Sequence, residues 1–134
     1  MIIGIGTDLV DIRRIERTIS RFGKTFCNRL FTGAERDFCD ARTGRKQASA
    51  YAMRFAAKEA CSKALGTGIR QGVFWHDMES GHLATGKPVL VLTGGASERL
   101  KMLTPEGFKP QIDVSLTDEY PYAMAVVIIS AERE

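Results

Sequence analysis

The stretch from Gln47 to Leu65 constrains the fold more than any other. Alanine recurs throughout it, no Pro or Gly interrupts it, and Gly66 supplies a stop signal. That pattern predicts a long helix. Residues three and four apart share a helical face, so Ala52, Phe55, Ala56, Glu59 and Lys63 fall on neighbouring rows. Glu59 thus lies in a stripe of apolar and small residues. An unpaired buried carboxylate is costly, so Glu59 calls for a proton or a cation. Lys63, one turn on, is one such cation and a metal ion is another. On the flank, Arg54 and Lys58 are like charges at i, i+4, which repel unless an anion lies between them. One inward carboxylate, three cations and an alanine floor suit a metal-bridged polyphosphate. The plainer expectation is a core helix with a Glu59–Lys63 pair and with Arg54 and Lys58 in solvent.

The opening residues, Ile2 to Val10, alternate and are β-branched, which predicts a strand. Ile2, Gly4, Gly6, Asp8 and Val10 share one face. The two glycines leave space on the face that carries Asp8, a sign that a ligand or another backbone comes close. A dinucleotide-binding fingerprint is excluded, because Leu9 stands where that motif needs Gly and the glycines lie within the strand.

Asp11 is placed to cap a helix to Phe22, with Gly23 at its end and Ile12, Ile15, Ile19 and Phe22 as its buried stripe. Arg13, Arg14, Arg17 and Arg21 crowd the outer face against Glu16 alone, which suits a ridge for an acidic partner. Thr32-x-x-Glu35 is a capping box for a short helix to about Arg42, with a structural role. Thr43 to Lys46 is expected as a loop, with Arg45 and Lys46 near where an anion could be met. Gly66 to Gly72 is a glycine-rich turn whose amides could meet phosphate, though not with P-loop spacing. Val73 to Leu83 is expected as a weak strand, Gly86 to Pro88 as a turn, Val89 to Leu92 as a strand and Ala96 to Leu103 as a helix. Gln111 to Thr117 alternates strictly, Asp118 to Pro121 turns the chain, and Tyr122 to Ile129 returns as a buried strand. The expected class is α+β in one domain, residues 1–134: an opening strand, a helical block around one long helix, then antiparallel strands with a further helix.

Composition narrows the function. With 44% apolar and 26% charged residues, the 134-residue chain has the balance of a globular domain. A net charge of +3 is too mild to imply a polyanion, and the first helix lacks the interleaved aromatics of a nucleic-acid binder. Cys27, Cys39 and Cys61 are odd in number and form no C-x-x-C pair, which fits a reducing cytoplasm. His76 and His82 are too isolated for a zinc site. There is no signal-peptide pattern, and no apolar run reaches the roughly 18 residues of a membrane span.

Two carboxylates remain, Asp8 on a glycine-opened strand and Glu59 on an alanine-floored helix. If that helix packs on that strand face, they converge. Two carboxylates with phosphate oxygens and waters make a usual magnesium arrangement, and nearby lysines suit phosphoryl transfer.

Three blocks carry a resemblance: Gly4 to Val10, Arg54 to Gly68, and Ser115 to Glu119 before Tyr122-Ala123. In this order they resemble the holo-acyl-carrier-protein synthases, the short single-domain phosphopantetheinyl transferases. The resemblance implies transfer of 4′-phosphopantetheine from coenzyme A to a serine of an acidic apo-acyl-carrier protein, releasing adenosine 3′,5′-bisphosphate. It implies Mg2+ on Asp8 and Glu59, with Lys63 near the transferred phosphate. It places Arg54, Lys58, Ser62, Gly66, Thr67 and Gly68 around coenzyme A. It also implies a homotrimer with sites between subunits, and docking of the carrier on Arg14, Arg17 and Arg21. One departure matters: some members have His between the two hydroxyl residues of the closing block, where this chain has Leu116. Deprotonation of the carrier serine then falls to a metal-bound water, a carboxylate or Lys63. The competing expectation is a non-catalytic module whose arginine helix binds an acidic protein or nucleic acid.

Overall fold

A computed structural model describes residues 1–134. Strand β1 (Ile2–Asp11) pairs antiparallel with β5 (Tyr122–Arg133), which pairs antiparallel with β4 (Phe108–Glu119), giving the order β1-β5-β4. The first strand of the chain thus docks on the last. A separate two-stranded ribbon joins β2 (Met78–His82) to β3 (Pro88–Leu92). The helices are α1 (Ile12–Phe22), α2 (Lys24–Leu30), α3 (Gly33–Asp40), α4 (Gly44–Ala64) and α5 (Gly94–Leu103). None is long and apolar enough to cross a membrane.

The molecule is built around α4, a 21-residue helix laid on the sheet. Small residues on both partners bring it close. On β5 the inward row is Ala123, Ala125, Val127, Ile129 and Ala131, all buried. On β1, a Cβ on Gly4 would overlap the Ala64 carbonyl oxygen, and one on Gly6 would overlap that of Ala60 and lie 2.8 Å from the Ala64 nitrogen. The glycines therefore admit a neighbouring backbone, one of the two alternatives that the strand pattern leaves open. Tight packing of α4 on this face is what carries Asp8 to Glu59.

Local signals hold where caps are explicit. The Asp11 side chain accepts from the Arg13 amide at the start of α1, and Gly23, at φ 54°, closes it by donating its N–H to the Ile19 carbonyl. Thr32 and Glu35 form both halves of the capping box.

Several expectations are corrected. Helix α2 goes unforeseen, being seven residues long with no side-chain cap. Helix α4 begins at Gly44, so Arg45 and Lys46 occupy its first turn rather than a loop. The expected strand over Val73–Leu83 is a 3-10 turn at Trp75–Asp77 followed by β2. Phe22 is 54% exposed rather than buried, because α1 overhangs the core at its end. The largest correction concerns α4 itself. It is covered on more than one side, by the sheet and also by α1, α3 and β2, so Arg54 and Lys58 are buried, not solvated.

Candidate active site

Asp8 sits on the inner face of β1 opposite Ala125, whose short side chain leaves room beside it. Glu59 comes from α4. Lys63, one turn on, bonds the Thr7 carbonyl at 2.9 Å and Asp8 Oδ1 at 3.2 Å. The anticipated Glu59–Lys63 pair is thus realised as Asp8–Lys63, and the Glu59 carboxylate accepts no hydrogen bond from another side chain. Burial raises the Asp8 carboxyl above its ordinary range against the pull of Lys63. Burial and the Asp8 charge together raise Glu59, opposed by Lys63 and by Arg14 of α1. Two half-buried carboxylates that repel each other, both still raised despite a 52%-exposed Lys63 and Arg14 nearby, form a site short of positive charge. A hard divalent cation answers that deficit. The set fits magnesium, which is content with two carboxylates when phosphate oxygens and waters complete its shell.

The residues expected around coenzyme A divide. Lys58 is wholly enclosed, bonded to Glu35 Oε1 at 2.8 Å and to the carbonyls of Trp75 and Met78 at 2.9 and 2.6 Å. Its three donors are used inside the chain, which removes it from the ligand set. Ser62 is also buried and donates to the Glu59 carbonyl. The amides of Gly66, Thr67 and Gly68 bond the carbonyls of Lys63 and Ser62, ending α4, so those amides do not face a phosphate.

Arg54 is different. It is 2% exposed, donates once to the Ala50 carbonyl and lies over the Phe38 ring, yet its Nε has no partner within the chain. It lines an open cleft of about 750 Å3 with Arg42, Arg45, Lys46, His82 and Tyr120. An adjoining cavity adds Ser80, whose hydroxyl is the other fully buried side-chain polar atom without a hydrogen-bond partner. Unsatisfied buried donors amid cations mark a place prepared for an anion. Sequence reading found Arg45 and Lys46 but not His82 or Ser80, because the β2–β3 ribbon carries no motif. Leu116 borders the same cleft, while Ser115 and Thr117 lie exposed on the outer face of the sheet.

Arg14, Arg17 and Arg21 are all exposed on α1. The guanidinium of Arg14 lies 5.8 Å from the Phe55 ring centroid and its charge reaches both carboxylates, so Arg14 borders the Asp8–Glu59 pair. Beside this ridge runs an apolar groove that sequence reading missed, lined by Phe22, Phe26, Leu30, Phe55 and Trp75 with Arg29 at its rim.

Paired carboxylates, a lysine one helical turn away and a cationic cleft are the kind of set that phosphoryl-transfer enzymes use. Comparison with known proteins makes this specific. Residues 4–125 match the model of the 4′-phosphopantetheinyl transferase superfamily. The chain is 56% identical over 133 residues to the holo-[acyl-carrier-protein] synthase of Nitrobacter hamburgensis, covering 98% of this chain and 96% of that one. The crystal structure of the Neisseria meningitidis holo-[acyl-carrier-protein] synthase superposes with a TM-score of 0.83 at 37% identity, covering 97% of this chain and 99% of that one. The Bacillus anthracis synthase, solved in complex with CoA (3′,5′-ADP), superposes at 0.78 with 32% identity, covering 96% of each chain. The chain belongs to the 4′-phosphopantetheinyl transferase superfamily, in its holo-acyl-carrier-protein synthase branch. It is an enzyme, and the expectation of a non-catalytic basic module is set aside.

Proposed function

We propose that the whole chain is one transferase domain that moves 4′-phosphopantetheine from coenzyme A to a serine of an acidic apo-acyl-carrier protein. The convergence of Asp8, Glu59 and Lys63 carries this reading. The serine hydroxyl passes its proton to a basic group of the site, and its oxygen bonds to the phosphorus that bears the pantetheine. The bond from that phosphorus to the bridging oxygen of the diphosphate breaks, and adenosine 3′,5′-bisphosphate leaves carrying that oxygen. Asp8 and Glu59 would hold Mg2+, which when bound neutralises the charge of the diphosphate. Lys63 supplies a positive charge from the same helix face, where charge develops on the transferred group. The anionic adenosine end suits the cleft of Arg42, Arg45, Lys46, Arg54 and His82.

Arg17 and Arg21 face an acidic partner across solvent, while the groove beside them takes an apolar anchor. Arg17→Glu with Arg21→Glu is expected to raise KM for the carrier and flatten the salt dependence of kcat/KM, with coenzyme A binding unchanged. The outer sheet face leaves Ile5, Leu9 and Met124 exposed at 61, 64 and 40%, with Leu9 directly opposite Met124. Such a face supports assembly with further copies of the chain, read here as a homotrimer. Three unpaired, buried cysteines accord with a reducing cytoplasm.

Mass spectrometry of an apo-carrier protein incubated with this enzyme, coenzyme A and magnesium tests the reading. One added phosphopantetheine on the serine is the expected result; an unmodified carrier contradicts it.

A further inference from the structure

Glu35 and Lys58 form an ion pair with both side chains at 0% exposure. Around it, Glu35 Oε1 also accepts from the Thr32 amide and Oε2 from the Ser80 amide, each at 2.9 Å. Lys58 holds the carbonyls of Trp75 and Met78. The pair thereby joins α3, α4, the 3-10 turn and β2 at one point. A buried pair of this kind adds little net stability over a well-packed apolar replacement, so its use lies in what it holds in place. Here that is the backbone of Trp75. The Trp75 ring lies 5.6 Å from Phe55 at an interplanar angle of 26°. Both rings wall the apolar groove beside α1, together with Phe22 and Phe26. Phe55 and Lys58 stand three residues apart on α4, so one helix supplies both one wall ring and the ammonium that holds the backbone of the other.

We infer that Glu35 and Lys58 are positioning residues for partner recognition: their ion pair holds Trp75 against Phe55 and so shapes the groove that receives the apolar anchor of the acidic carrier protein. The inference rests on the docking reading above. Neither side chain reaches the surface, so neither touches the carrier.

Trp75 is the only tryptophan of the chain, so its emission reports the groove wall alone. Lys58→Met deletes the charge and keeps an apolar stem. Its Trp75 emission is expected to shift to the red and become more open to iodide quenching. KM for the apo-carrier is expected to rise about tenfold, while kcat at saturating carrier and KM for coenzyme A stay within about twofold. A merely structural pair would lower Tm and leave carrier KM alone, and that result overturns the inference. Unchanged Trp75 emission overturns it too, because the wall then stands without the pair. Phe22→Ser and Arg21→Glu separate the two readings. If they leave carrier KM unchanged, the docking reading falls and the inference with it. If they raise it while Lys58→Met moves the emission but not KM, the inference alone falls. Should Lys58→Met not fold, Glu35→Gln carries the same measurements, with the same outcomes for and against.

Discussion

Lys58 and Glu59 are consecutive residues of one helix in opposite situations. Lys58 is fully enclosed and meets a carboxylate and two carbonyls, so its burial is answered within the chain. Glu59 is half-buried beside another carboxylate, and the field of Lys63 only partly offsets that repulsion. Both groups are strained by desolvation, in opposite senses: burial lowers the Lys58 ammonium and raises the Glu59 carboxyl. Only one of them has its partner within the chain. A charge that the fold satisfies is structure; a charge that the fold leaves unsatisfied is waiting for a ligand.

Removing the partner of a satisfied charge should cost the most stability. Lys58→Ala strands Glu35 and is expected to destabilise by about 3–5 kcal/mol, read from denaturant melts. Glu59→Gln, one residue away, should cost nothing and can raise Tm, since it relieves repulsion with Asp8. Equal losses from the two would erase the contrast.

Activity should reverse the order. Asp8→Asn and Glu59→Gln each are expected to lower kcat/KM by roughly 10²–10³-fold or more, the scale of losing a preorganised charge-stabilising group, with the fold intact. Full activity of either variant at saturating magnesium would remove the metal assignment. Lys63→Met sharpens the picture on the open side of the helix. A fall in kcat of roughly tenfold or more, with little change in coenzyme A affinity, is the pattern of a contact strongest in the transition state. Weaker binding with unchanged kcat would make Lys63 a ground-state contact.

The smallest effect is a pH dependence of stability. Burial and the Asp8 charge raise the Glu59 carboxyl above its ordinary value of 4.5 in the fold, so folding favours its protonated form more than the unfolded chain does. Its contribution is fully present below that value and is lost as pH rises through the folded one. Glu59→Gln should therefore match wild type in Tm at about pH 4 and gain on it toward neutrality. A gain that is largest in acid would reverse the assigned cause.

The same contrast explains what the sequence made legible. Asp8 and Glu59 were visible because their neighbours, Gly4, Gly6, Ala56 and Ala60, are too small to be anything but the floor of a close contact. The capping box at Thr32 and Glu35 was equally plain, since caps are local. Yet only one Glu35 oxygen serves that cap and Lys58; the other bonds Ser80, 45 residues away. No local pattern announces that contact. The plainer expectation of Arg54 and Lys58 in solvent fails for a related reason. A helix covered on several sides has no polar face from which to read exposure, so charges on its flank look solvated until α3 and β2 are laid over them. The Gly66–Gly68 turn kept its glycines, two at positive φ, but spends its amides on ending α4. Phe22 and α2 escaped because the groove they form depends on how α1 overhangs the core, which periodicity does not record.

The most direct measurement is a thermal melt with coenzyme A and magnesium, alone and together, on wild type and Glu59→Gln. If Asp8 and Glu59 hold the ion that meets the diphosphate, the two ligands together raise the wild-type Tm by more than the sum of their separate shifts. Glu59→Gln should lose that excess while keeping the shift from coenzyme A alone. An excess that persists undiminished in Glu59→Gln would contradict the account.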